Sequence, residues 1–190
     1  MGRLGQATQR LKLAIYDWDD FSDDNTGFDY LYKLKAANPD FKCSLFAVPD
    51  KCSIELLEGV PDWIELCVHG WNHESVYECS DWLKEDIAHV FEDEKVKKYF
   101  KRVFKAPGWQ ISDACYHYCN ENNIMVADQI YNAHRWPEGL KVYLYEGYED
   151  RWHGHIQNVC GNGLEETWDN LLETVKNTKR FQFVSEVVTL

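Results

Sequence analysis

The chain has 190 residues and a formal net charge of −12, with 45% hydrophobic and 27% charged residues. This length and composition predict one soluble globular domain over residues 1–190, built around a single core. A surface this acidic repels phosphate backbones and anionic lipid headgroups, so neither nucleic acid nor a membrane surface is expected as a partner.

The cysteines and the N-terminal segment predict where the protein resides. The seven cysteines are an odd number, and several lie within apolar runs, as Cys67 does between Leu66 and Val68. Buried free thiols behave as small hydrophobic side chains. Residues 1–10 lack the apolar stretch of a signal peptide, and no run of the sequence is long enough to span a bilayer. We therefore expect a cytoplasmic protein in a reducing environment.

Apolar periodicity and turn residues predict strands and helices in alternation. The predicted strands are 11–18, 41–48, 63–68, a short one around 103–104, 124–127, 142–145, 151–157 and 181–183. The predicted helices are 28–37, 53–57, one capped by Ser80 and running to about 91, 112–120 and 164–175. This alternation is typical of an α/β fold with a mainly parallel sheet, in which functional sites form where strands end and loops begin.

Three carboxylates lie within four positions at the end of the first predicted strand, namely Asp17, Asp19 and Asp20. Neighbouring like charges raise the cost of ionising each other, so a fold tolerates them when a cation neutralises them or when one carries a proton for chemistry. Adjacent side chains of an extended segment point in opposite directions, so Asp19 and Asp20 can have different roles, and Asp17 points with Asp19. A solvated acidic loop is the alternative, and we prefer it for Asp23 and Asp24.

A pair of histidines follows the third predicted strand. His69 and His73 lie four residues apart in a turn-like segment, where Gly70 permits a tight backbone path. Two imidazoles and one carboxylate can hold a divalent metal and leave coordination positions open for water or substrate. The alternative is a pair of exposed histidines that happen to share this spacing. The acidic cluster favours the metal centre of a hydrolase.

Four segments, taken in order, resemble the motifs of the polysaccharide deacetylases, carbohydrate esterase family four, with their NodB-homology domain. Residues 17–21 are similar to the Thr-Phe-Asp-Asp-Gly motif of that family, and residues 69–73 to its His-x-x-x-His motif. Residues 104–109 are similar to its Arg-Pro-Pro-like strand end, and residues 152–155 to its last strand, which ends in a histidine. The resemblance covers residues 11–157.

The resemblance implies a distorted (β/α) barrel of about seven mainly parallel strands and a metal-dependent deacetylase that acts on an N-acetylated sugar. Asp19 would be the general base. Asp20, His69 and His73 would hold a divalent metal, usually Zn²⁺ in that family. The general acid would be His153 or His155, and spacing does not choose between them because both point to the same side of a strand. The residues expected to contact the carbohydrate are Trp71, Pro107, Gly108, Trp109 and Trp152.

Some positions depart from the family pattern. Phe21 replaces the usual glycine, so the first loop must turn differently. Lys105 stands where an arginine is expected to orient the base, and it keeps the charge but loses the planar fork of arginine. Asp128 is the candidate for the acidic residue that tunes the catalytic histidine. Two alternatives follow: a glycan-binding module of the same fold without turnover, and an amidohydrolase that acts on a non-sugar C–N bond.

Overall fold

The computed structural model describes residues 13–157 and 164–187, and the side chains of residues 164–167 lie outside the description. The first two residues of the predicted strand 11–18 and Cys160 also lie outside the described residues. Within the described ranges, every helix is too short or too polar to cross a bilayer.

Seven strands form one sheet in the order β6-β5-β4-β3-β2-β1-β7, and every neighbouring pair is parallel. The sheet curls into an incomplete barrel, so the predicted distorted (β/α) barrel of about seven strands is confirmed. The strands are β1 (Ile15–Phe21), β2 (Cys43–Ala47), β3 (Ile64–His69), β4 (Phe100–Lys105), β5 (Met125–Ala127), β6 (Val142–Tyr143) and β7 (Arg151–His155).

Of the six α-helices in the described residues, five lie between strands and the sixth follows β7, and side-chain caps fix where some of them begin. They are α1 (Phe28–Ala37), α2 (Ile54–Glu58), α3 (Lys84–Glu92), α4 (Glu94–Tyr99), α5 (Asp113–Glu121) and α6 (Leu164–Asn177). The side chains of Ser53 and Ser112 accept hydrogen bonds from backbone N–H groups in the first turns of α2 and α5, as expected of helix caps.

Two local predictions are wrong. Ser80 does not cap α3, because the helix begins at Lys84 and Asp86 accepts a hydrogen bond from the backbone N–H of Leu83. The segment 181–183 is not a strand beyond one isolated bridge, and a 3₁₀ turn follows it at Val184–Glu186. The backbone N–H of Val184 donates to the side chain of Ser44, at 2.9 Å, instead of continuing a ladder.

The sheet separates two apolar layers, because alternate side chains of each strand face opposite sides. The outer layer packs under the helices and includes Tyr16, Trp18, Leu45, Leu66 and Phe104. The inner layer fills the barrel and includes Ile15, Phe46, Cys67, Val103, Tyr143 and Val184. By the same alternation, the inward positions nearest the carboxyl ends of β1, β3, β4 and β7 carry polar side chains, which are Asp17, Asp19, His69, Lys105 and His153. The barrel interior thus ends in a polar layer where its strands end.

Candidate metal centre and catalytic cluster

The first candidate group consists of His69, from this polar layer, together with Asp20 and His73. One carboxylate oxygen of Asp20, Oδ1, lies 3.4 Å from Nε2 of His69 and 3.2 Å from Nε2 of His73. Four ligands placed tetrahedrally at ~2.0–2.1 Å from Zn²⁺ lie ~3.3–3.4 Å from one another, so these separations suit a metal between the three atoms. Asp20 Oδ1 is buried and accepts no hydrogen bond from any described residue. The residues present therefore fit a divalent cation.

Hydrogen bonds orient two of these three side chains. The Nδ1–H of His69 donates to the backbone carbonyl of Lys105, at 3.1 Å, which leaves its Nε2 as the free lone pair. Gln157 donates from Nε2 to Asp20 Oδ2, at 2.8 Å, so that Oδ1 is the oxygen turned toward the histidines.

The backbone itself is strained where it presents the metal ligands. Asp20 and His73 have φ angles of 70° and 48°, in the left-handed region that non-glycine residues rarely adopt. Such strain costs about 1–3 kcal/mol per residue and concentrates at functional sites. The turn at Asp20 also accounts for the missing glycine, because Phe21 is fully buried in the outer layer rather than forming the turn.

Glu78 holds the histidine loop in shape. Its carboxylate accepts hydrogen bonds from the backbone N–H groups of Trp71, Asn72 and His73, at 3.1, 2.9 and 3.1 Å. Gly70 is required here, since its φ is 63° and a Cβ would overlap the Glu78 carboxylate. This role of Glu78 could not be predicted from the sequence, because Glu78 lies in an ordinary polar stretch.

We expect Glu78→Ala to destabilise the loop and weaken metal binding. Each backbone N–H left without its acceptor costs about 1–3 kcal/mol to the extent that it stays shielded from water. Urea unfolding and a Zn²⁺ titration measure the two effects. Glu74→Ala is the matched control, because Glu74 is an exposed carboxylate of the same loop and its loss should change stability by less than ~0.5 kcal/mol. Equal behaviour of the two variants would contradict the role of Glu78.

The second group surrounds the ammonium group of Lys105, which is fully buried. Its Nζ lies 2.7 Å from Asp17 Oδ2, 2.7 Å from Asp19 Oδ1 and 3.3 Å from His153 Nδ1. Asp17 Oδ2 also lies 2.8 Å from His153 Nδ1, and Asp17 Oδ1 accepts a hydrogen bond from the hydroxyl of Tyr143 at 3.0 Å. Asp17 thus contacts a cation, an imidazole and a phenol at once.

The charges of this group fix its protonation. Burial by itself would raise the pKa of Asp19, but the Lys105 ammonium, together with His69 and His153, outweighs burial and the pKa is lowered. Burial would likewise lower the pKa of Lys105, and the carboxylates of Asp17 and Asp19 raise it instead. Asp17 follows Asp19: burial opposes ionisation, Lys105 and His153 favour it, and its pKa is lowered. At neutral pH the group holds two carboxylates and one ammonium.

The two groups adjoin each other through Asp19. Its Oδ2 lies 3.9 Å from Nε2 of His69 and 3.7 Å from Nε2 of His153. A small cleft of about 180 Å³ opens beside the metal ligands and is lined in part by Asp20, His73 and Gln157. The carboxylate of Asp19 therefore stands between the candidate metal ligands Asp20, His69 and His73 and the imidazole of His153.

The register of β7 on β1 distinguishes the two candidate histidines. His153 pairs with Asp17 and His155 with Asp19, in parallel. His153 has a side chain that is 10% exposed, and its ring lies 4.6 Å from that of Tyr145 and 5.4 Å from that of Trp109. His155 is exposed. Of the two histidines, His153 therefore belongs to the cluster around Lys105, with its Nε2 3.7 Å from Asp19 Oδ2, and His155 lies outside it.

The predicted carbohydrate contacts separate into different places. Trp109 belongs to the site, since its ring lies 5.0 Å from Lys105 Nζ and its backbone φ is 60°. Pro107 and Gly108 form the tight turn that presents Trp109, and a Cβ on Gly108 would meet the carbonyl of Val76 at 2.7 Å.

The other two tryptophans lie outside the cleft beside the metal ligands. Trp71 lines a separate cavity of about 410 Å³ beside the histidine loop. Trp152 alternates with His153 along β7, so it packs against the outer layer and not on the side of the cleft.

Asp128 is placed differently from the prediction. Its carboxylate accepts hydrogen bonds from the Tyr116 hydroxyl, Trp136 Nε1 and Asn132 Nδ2, at 2.6, 2.7 and 2.8 Å. Asn132 in turn donates to the carbonyl of Trp109, at 3.3 Å. Asp128 therefore supports Trp109, and the carboxylate on His153 is that of Asp17. The sequence predicts that Asp17 points to the same side as Asp19, but it does not predict that Asp17 contacts His153.

Comparison with solved structures identifies the fold. The chain is similar to the Xyl-CE4 domain of a multidomain xylanase from the hindgut metagenome of Trinervitermes trinervoides (15% identity, TM-score 0.59, covering 92% of this chain and 88% of that one). It is similar to a family 4 acetyl xylan esterase from Clostridium thermocellum, in complex with a cobalt ion (15%, 0.57, 92% and 89%). It also resembles a CE4 family pseudoenzyme from Bacillus anthracis (11%, 0.58, 93% and 65%).

At the level of sequence, no family model matches the chain, and no curated protein matches it significantly. The likeness of the folds agrees with the resemblance of the four motifs. This chain has the fold of the carbohydrate esterase family 4 structures to which it is similar.

Proposed function

We propose that this protein is a metal-dependent hydrolase that removes an acetyl group from an N-acetylated carbohydrate. The observation that carries the proposal is the contact between the two groups. Asp19, an ionised carboxylate, stands 3.9 Å from a metal-ligand histidine and 3.7 Å from the imidazole of His153. Amide hydrolysis needs a base for water and an acid for the departing nitrogen, on opposite sides of one carbonyl carbon. The fold neighbours include a peptidoglycan deacetylase from Bacillus subtilis as well as the acetyl xylan esterase, which supports an acetylated carbohydrate as substrate.

Each residue has a separate role in this proposal. Asp20, His69 and His73 would hold a divalent metal, for which Zn²⁺ is our choice because two imidazoles and a carboxylate suit it. Such a metal supplies a Lewis acid and makes water more acidic. Asp19 accepts the proton of the attacking water, and Lys105 holds Asp19 in place through the 2.7 Å contact. His153 donates its Nε2 proton to the leaving nitrogen, while Asp17 holds its Nδ1.

The setting we propose is a reducing compartment such as the cytoplasm. Six cysteines of the described residues, Cys43, Cys52, Cys67, Cys79, Cys115 and Cys119, are free and buried. Burial raises the pKa of Cys52 to about 12 and that of Cys115 to about 11, so these thiols stay protonated and unreactive. They act as core side chains, which suits a protein that is not exposed to oxidants.

The test is acetate release from acetylated amino sugars by metal-free and Zn²⁺-reconstituted protein. We expect activity to disappear with a chelator and to return with one equivalent of Zn²⁺ or Co²⁺. His69→Ala should lose both the metal and the activity, whereas His155→Ala, an exposed histidine outside both groups, should retain both. Metal binding without any acetate release from chito-oligosaccharides or from a panel of small amides would contradict hydrolysis.

Two observations favour a second candidate, a glycan-binding module without turnover. A CE4 family pseudoenzyme shares the fold, and Lys105 replaces the arginine expected from the family motif. In that case the wild-type protein would bind chito-oligosaccharides without releasing acetate. Asp19→Asn would then leave the binding constant unchanged. Acetate release by the wild-type protein would exclude it.

A further inference from the structure

A second set of metal-ligand side chains lies beside the first. One ligand atom from each of Asp17, Asp19 and His153 lies within 4.8 Å of the other two, and the same is true of Asp20, His69 and His73. Two carboxylates and an imidazole form an adequate ligand set for first-row divalent metals. Unlike the first set, this one already surrounds a cation, which is the ammonium group of Lys105.

The contacts of Lys105 are those of a bound cation. Its Nζ lies 2.7 Å from each carboxylate and 3.3 Å from His153 Nδ1, so three atoms of the ligand set face it. The ring of Phe46 lies beneath it, with the centroid 3.7 Å away. Lys105 and Asp17 are both fully buried, so water does not screen these charges.

Removing this cation would leave two carboxylates buried without compensation. Uncompensated buried charge costs several kcal/mol, and the protein can restore balance either by taking up protons or by taking up another cation. Asp19 faces both sets, since its Oδ2 lies 3.9 Å from His69 Nε2. A carboxylate placed between two ligand sets is the arrangement by which two-metal hydrolases bridge their ions, ~3.5–4 Å apart.

We propose that Lys105 occupies a second, latent cation site formed by Asp17, Asp19 and His153, and that its ammonium group keeps the centre to a single metal. The class of ligand for this latent site is a divalent first-row metal such as Zn²⁺ or Co²⁺. The inference goes beyond the proposed deacetylase function and does not depend on it, because it concerns the number of ions bound and not their chemistry.

The test counts metal ions in variants of Lys105. Lys105→Met keeps an apolar stem of similar length and removes the charge, whereas Lys105→Arg keeps the charge. Each metal-free protein is titrated with Zn²⁺ by calorimetry, and bound metal is counted by elemental analysis after gel filtration. We expect Lys105→Met to bind one equivalent more than the wild type and Lys105→Arg to bind the same number as the wild type. With Co²⁺, the extra equivalent should add its own visible absorption.

A double variant locates the extra ion. Lys105→Met with Asp17→Asn should return to the wild-type count, because one carboxylate of the latent site is gone. Metal-free Lys105→Met can be unstable, so its thermal unfolding is also measured with saturating Zn²⁺, which should raise the midpoint more than in wild type. An unchanged metal count, or failure to fold even with saturating Zn²⁺, overturns the proposal. The test depends on the difference in bound metal between Lys105→Met and the wild type. A wild type that binds no metal would therefore contradict the proposed deacetylase centre and still leave this test decisive.

Discussion

We expect Asp19→Asn to lower kcat for deacetylation by about 10²–10⁴-fold, the range that a positioned general base contributes. The amide of asparagine is nearly the same shape as the carboxylate but does not accept the proton of the attacking water. The three metal ligands are untouched by the change, since Asp19 is outside the Asp20, His69 and His73 set. Metal content should therefore stay at the wild-type value while turnover falls.

The control for Asp19→Asn is Asp24→Asn. Asp24 lines the cleft beside the metal ligands, so it reports any loss that comes from changing the charge near the substrate. We expect its kcat to stay within about threefold of wild type. Urea unfolding of both variants separates loss of chemistry from loss of fold, because Asp19 also pairs with Lys105. If both variants turn over acetylated sugar equally, Asp19 is not the base.

The positions of the site residues could be predicted because they depend on topology. In a parallel sheet the carboxyl ends of the strands lie at one edge, so Asp20 near the end of β1 and His69 at the end of β3 were expected at the same edge. Strand alternation predicted that Asp17 and Asp19 share a side, and both contact Lys105. The fold class followed from the same alternation of strands and helices.

The partners of those residues could not be predicted, because they depend on side-chain contacts between distant segments. Tyr143 donates to Asp17 across 126 positions, and nothing local to either residue signals the pair. The family resemblance implies that Trp152 contacts the carbohydrate, but the pleat of β7 places it on the opposite side from His153. Likewise, nothing in the polar segment before α3 shows that Glu78, and not one of its neighbours, receives the backbone of the histidine loop.

The arrangement around Lys105 also bears on its replacement of arginine. A guanidinium is planar and forms paired hydrogen bonds with one carboxylate, whereas an ammonium directs three donors to separate acceptors. Here the acceptors are separate, since Asp17 and Asp19 lie on one strand with the same facing and each takes one contact of 2.7 Å. The lysine is therefore suited to the extra carboxylate that Asp17 introduces. Asp17 stands at the position of the threonine in the Thr-Phe-Asp-Asp-Gly motif, and we infer that Asp17 and Lys105 belong together as one charge-balanced unit.

The strongest test of that unit is Asp17→Asn. The change removes the carboxylate that holds His153 at its Nδ1 atom, and an analogous Asp-to-Asn change in a serine protease triad costs about 10⁴ in kcat. We expect kcat to fall by about 10²–10⁴-fold here, with little change in KM, because Asp17 is fully buried and does not reach substrate. Steady-state kinetics on an acetylated chito-oligosaccharide measures both constants.

Tyr143→Phe is the matched control for Asp17→Asn, because it removes one hydrogen bond to Asp17 and leaves the carboxylate in place. Its expected stability loss is that of one hydrogen bond, about 0.5–1.5 kcal/mol, with a kcat near wild type. Asp17→Asn should lose more stability, since Lys105 then keeps only Asp19 as a counter-charge. A purely structural role for Asp17 predicts reduced stability with kcat unchanged at a temperature where the variant is folded. That result would mean that a residue other than Asp17 orients His153. A fall in kcat of the folded variant would instead support Asp17 as the residue that orients His153.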